Sequence, residues 1–138
     1  RTDTTVRMLM ANMVDPAADL VWDAVGTVVD YDGEDHWEPE TEEEWLSVRY
    51  GAMSMIEAGN LLMMDSRARD QEQWISLTEG MMDAGMLAFQ AAESEDADLL
   101  FALGEDVYNS CNNCHMLYWI DDEDRGRVVE PSSGGSAP

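Results

Sequence analysis

The sequence predicts an all-α fold, an antiparallel four-helix bundle running up-down-up-down. Apolar residues recur every three or four positions over four separate stretches, the spacing of a buried helix face. The stretches are divided by short or moderate segments rich in turn and capping residues, so neighbouring helices must run antiparallel. No apolar run reaches the roughly 18 residues needed to cross a bilayer, so each face has to be buried against another helix. With 138 residues the chain suits one domain with a core of ordinary size.

The first helix is expected from about Thr4 to Val29, with Met10, Met13, Val14, Ala17, Leu20, Val21 and Val25 on its inner face. Pro16 should kink or interrupt it, since proline lacks the amide that the ladder needs. A loop rich in Asp, Gly, Glu and Pro follows from about Asp30 to Glu40. Thr41-Glu42-Glu43-Glu44 then forms a capping box that opens the second helix, whose buried side carries Trp45, Val48, Ala52, Met55, Ile56, Gly59 and Leu62. The polar and basic segment Asp65 to Asp70 reads as the next connection.

The third helix is expected from about Gln71 to Ala92, with Trp74, Leu77, Met81, Ala84, Gly85 and Ala88 inward. Its small residues allow close approach of a neighbour. Ser94 to Asp96 supplies a turn and an N-cap for the fourth helix, from Ala97 to about Trp119. On that helix Leu100, Leu103, Val107, Cys111, Cys114 and Tyr118 repeat at helical spacing, which puts both cysteines on the core-facing stripe. Residues 1–120 therefore read as the helical domain. Residues 121–138, acidic and then Gly, Ser and Pro-rich, read as a flexible tail.

Chemistry concentrates in Cys111-Asn112-Asn113-Cys114-His115. The chain has two Cys and two His, and three of those four lie in this pentapeptide. Two thiols three residues apart can add to the two vinyl groups of one porphyrin, and the histidine that follows can bind its iron. A thioredoxin-like redox pair would need a strand before it, whereas both flanks read as helix. A structural zinc wants four ligands, and outside the segment only His36 is left among the usual nitrogen and sulfur donors. A disulfide within one helical turn is geometrically awkward and leaves His115 without a role. The motif thus points to one covalently attached haem c.

A helical bundle with one such motif on its last helix, followed by an aromatic three residues after the histidine (Tyr118), resembles the class II c-type cytochromes. These include cytochrome c prime and its low-spin, methionine-ligated relatives. The resemblance covers about Thr4 to Trp119 and implies a function in one-electron transport. It also implies thioether bonds at Cys111 and Cys114, His115 as proximal iron ligand, and a distal position on the first helix. Three methionines stand there, Met8, Met10 and Met13, among the 11 of the chain. Met8 and Met10 lie about 200° apart around a helix, so both cannot face one haem. Met10 shares the inward stripe with Val14, Ala17 and Val21 and is the preferred distal ligand, ahead of Met13 and then Met8; methionine is equally a common core filler. The resemblance also implies an Arg near a haem propionate, which Arg7, one turn before Met10, can supply by charge pairing. Arg49 is a second candidate, and His36 is the least favoured distal ligand because it sits in a polar loop.

Charge narrows the partners. There are 30 Asp and Glu against 7 basic residues, a net charge of −23, and no Lys at all. Such a surface repels nucleic acid and anionic lipid and favours redox partners with a basic docking surface. It also matches proteins of salt-rich habitats, where screening relieves self-repulsion. The chain starts at Arg1 without a signal sequence and reads as a mature form; haem attachment of this type implies export to the periplasm or beyond. No nucleophile or general-base constellation suggests an enzyme. Two alternatives stand beside the electron carrier: a five-coordinate, gas-binding haem of the cytochrome c prime kind, and a subunit of a larger cytochrome assembly or filament. A homodimer is the assembly the resemblance implies.

Overall fold

The computed structural model describes residues 1–118, and the described chain is mostly helical. Helix α1 comprises Val6–Leu9, a wide π-helical segment Met10–Val14, and Asp15–Trp22. A hairpin of β1 (Gly26–Asp30) and β2 (Gly33–Trp37) follows, then α2 (Glu42–Leu62), α3 (Gln73–Glu93) and α4 (Ala97–His115). Consecutive helices pack on one another, and α4 returns to α1. The residues 121–138, together with Trp119 and Ile120, lie outside the described residues.

The helix starts follow their caps. Thr5 accepts from the Met8 amide to open α1. At α2 the expected capping box is complete: Thr41 Oγ1 accepts from the Glu44 amide at 3.1 Å, and the Glu44 carboxylate accepts from the Thr41 amide at 3.2 Å. Asp96 caps α4 through the Leu99 amide at 3.0 Å. Every residue expected on the inner face of α2 is buried, and so are Trp74, Met81, Ala84, Gly85 and Ala88 of α3. Leu77 is only half-buried.

Three expectations for the first third of the chain need correction. Helix α1 ends at Trp22, not near Val29, and the segment expected as loop holds a strand. The β-branched run Thr27-Val28-Val29 favours extended backbone, and Asp30-Tyr31-Asp32-Gly33 supplies the turn: Asp30 Oδ1 accepts from the Asp32 amide at 2.9 Å and Gly33 takes φ 131°. In the hairpin register Gly26 faces Trp37, whose indole lies where a Gly26 side chain would be. The fold is therefore helical with an added two-stranded hairpin. Leu20, expected inward, is exposed.

Pro16 does not break α1. It sits in the first turn of Asp15–Trp22, and the ladder widens just ahead of it. Proline has no amide to give and its ring opposes the carbonyl four residues back, so a turn closed by i+5 bonds absorbs the strain. The Asn12 side-chain amide donates to the Met8 carbonyl at 3.0 Å, serving an acceptor on the disturbed ladder. Tryptophans then tie the helices together: Trp22 Nε1 donates to the Gly104 carbonyl of α4 at 3.2 Å, and Trp74 Nε1 to the Leu62 carbonyl at the end of α2 at 2.8 Å. Buried Arg67 donates to Thr4 and to the Leu61 carbonyl, which anchors the N-terminus on the α2–α3 connection.

Candidate functional site

The last turns of α4 bring Cys111, Cys114 and His115 against the wide turn of α1. A cavity of about 180 Å³ lies between them, lined by Met10, Asp15, Cys111, Cys114 and His115 and closed by apolar Val14, Ala18, Leu77 and Met81. An adjoining hollow of about 280 Å³ shares Met10, Asp15, Cys114 and His115 and adds Arg7, Trp74 and Tyr118. Met10 and His115 thus stand on the walls of both. Met8 is exposed and Met13 packs half-buried against the core; neither lines either cavity.

Burial sets the protonation of these groups. Both cysteines are free thiols. Burial pushes the Cys111 thiol up, helped by the Asp15 carboxylate, and raises Cys114 to about 11. Burial lowers the His115 pKa against the opposing pull of Asp15, so its ring is a neutral imidazole at neutral pH. A neutral imidazole keeps the lone pair that a metal needs. Among the described residues no three His, Cys, Asp or Glu side chains converge as a metal site of their own.

The second hollow has a rigid aromatic wall. Tyr118 packs edge-on to Trp74 with ring centroids 5.0 Å apart, and its hydroxyl donates to Asp70 Oδ2. Asp70 also accepts from the Trp74 amide at 2.9 Å, so one carboxylate caps α3 and holds Tyr118. The Tyr118 hydrogen bond is the chief cause that lowers the Asp70 pKa, while burial and Asp70 together raise that of Tyr118. Arg69 lies over the Trp74 ring, 5.7 Å from its centroid, and burial lowers its pKa.

Sequence-expected residues outside this region are occupied elsewhere. His36 Nδ1 lies 3.1 Å from Thr27 Oγ1 on the exposed hairpin, and Arg49 pairs with Glu42 at 2.5 Å. Neither lines the two cavities. Sequence reasoning missed Asp15, Thr78 and Tyr108 as lining residues. Asp15 was detectable only as the acid before an intrahelical proline, and a regular helical wheel turns it away from Met10. Tested against protein-family models, curated proteins and solved structures, the chain matches none.

Proposed function

We propose that this protein is a monohaem c-type cytochrome, similar to the low-spin branch of class II, that carries single electrons outside the cytoplasm. Cys111 and Cys114 would hold the haem by thioether bonds, His115 would be its proximal ligand and Met10 its distal ligand. The observation that carries the reading is that Met10 and the Cys111, Cys114 and His115 cluster, more than 100 positions apart in sequence, line one cavity between α1 and α4. When bound, the haem supplies reversible one-electron iron chemistry.

The donor set fits such a group better than a bare ion. His115 and Met10 offer one nitrogen and one thioether sulfur, too few donors to hold an ion alone, so the remaining ligands would come from the group itself, as in a porphyrin. Addition of the two thiols across vinyl groups would leave each sulfur bonded to a porphyrin side chain and its hydrogen on the neighbouring carbon. Arg7, on the wall of the second hollow, would face an anionic propionate, and Tyr118 lines the same hollow. The four helices would then form an up-down-up-down bundle around the haem edge.

With His115 and Met10 both holding the group, little would change on reduction, which suits a carrier rather than a catalyst. The acidic surface would steer basic redox partners at rates that fall with salt, and pairing of two copies through α1 and α2 is the assembly in keeping with the resemblance. The test is the spectrum of protein expressed with haem-maturation machinery. Covalent haem that survives denaturation, disappears in the Cys111→Ser, Cys114→Ser double variant, and shows a low-spin ferric spectrum lost in Met10→Ala is the expected result. A high-spin spectrum that shifts with carbon monoxide would replace the carrier with a gas-binding protein.

A further inference from the structure

The wide turn of α1 changes which residues share a face. In an uninterrupted α-helix Met10 and Asp15 would point about 140° apart. Here the Asp15 amide donates to the Met10 carbonyl five residues back, so Asp15 stands one turn beyond Met10. Both residues consequently line both cavities with Cys114 and His115. Asp15 is the only carboxylate on either lining among the described residues, and Arg7 the only cation. Its field reaches Cys111 and His115, where it favours the protonated form of each.

We infer that Asp15 is a positioning residue of the site, a fixed negative charge that the Pro16-driven turn sets beside the haem to hold its reduction potential down. The inference rests on the haem reading above. Reduction adds one electron to the iron centre, and a neighbouring carboxylate opposes that addition by Coulomb repulsion. Asp15 is exposed, and a planar group filling the cavities would screen it from solvent and strengthen the interaction. Arg7, across the second hollow, partly offsets it. The balance between these two side chains would set how easily the centre accepts an electron.

Midpoint potentials of haem-loaded wild type, Asp15→Asn, Asp15→Glu and Pro16→Ala provide the test, with haem content and axial ligation read on the same samples. Asp15→Asn should move the potential to more positive values with the low-spin spectrum intact, Asp15→Glu should stay near wild type, and Pro16→Ala should shift in the same direction as Asn by turning Asp15 away. An unchanged potential in Asp15→Asn, with haem and spectrum retained, overturns the inference and leaves the haem reading standing. A wild-type chain that never acquires covalent haem overturns both. If the Asn variant fails to load haem, alkylation of its haem-free chain decides: Cys111 should react faster than in wild type at the same pH, and an equal rate counts against Asp15.

Discussion

Helices α2 and α3 fill the space between them, whereas α1 and α4 leave it open. Between α2 and α3 glycines allow close approach: a side chain on Gly85 would meet Ile56 at 3.1 Å and the Ala52 carbonyl at 3.3 Å, and one on Gly59 would run into Met82. Both helices are regular over 21 residues. Helix α1 instead carries a wide turn, and its partner α4 presents half-buried thiols and an imidazole to two cavities. The two pairs show that the same apolar period can specify either a packed seam or a pair of cavities. Residue size and one proline make the difference.

The contrast can be broken most strongly with two methionines. Met55 of α2 is fully buried, so Met55→Ala should cost about 2–5 kcal/mol in urea unfolding of the haem-free chain. Met10→Ala in the same chain should cost less than about 1 kcal/mol, because its thioether borders a cavity rather than a packed seam. Equal losses would mean that the α1–α4 space is as well filled as the α2–α3 seam.

Gly85→Val comes next. Overpacking against Ile56 and the Ala52 backbone should destabilise the chain by about 1–3 kcal/mol, measured by thermal or urea unfolding. A neutral or stabilising result would show that α2 and α3 can separate at little cost.

A smaller effect should appear at alkaline pH and only without haem. The folded-state pKa of Cys114 is raised from 9.0 to about 11, so above pH 9 the unfolded chain releases a proton that the folded chain keeps. Stability should therefore fall as pH rises through this window, by about 3 kcal/mol at most. Thioether-linked protein has no thiol to titrate there and should show no such loss. His115 works in the opposite range: its lowered pKa lets the unfolded state take up a proton first, so the haem-free chain should also weaken as pH falls below about 6.5.

Much of the fold was legible because its signals are local. The Thr41 to Glu44 capping box and Asp96 mark helix starts through hydrogen bonds within one turn, and the inner face of α2 follows from residue period alone. The hairpin escaped that reading because Val25, Val28 and Val29 also fit a helical stripe. Extended backbone won there through cross-strand pairing with residues 33–37, a partner that a period count does not see.

At the candidate site, the residue types and the spacing of Cys111, Cys114 and His115 could be read directly, since thiol and imidazole chemistry depends on spacing within one helical turn. Choosing among Met8, Met10 and Met13 needed the packed chain: only Met10 borders the two cavities. Asp15 needed it more, because the i+5 turn ahead of Pro16, closed by the Asp15 amide on the Met10 carbonyl, rotates it onto the Met10 face. Composition, helix caps and the Cys-His motif are written in neighbouring residues and survive without a fold. Which side chains face one cavity is decided by how helices pack and by where a backbone ladder gives way.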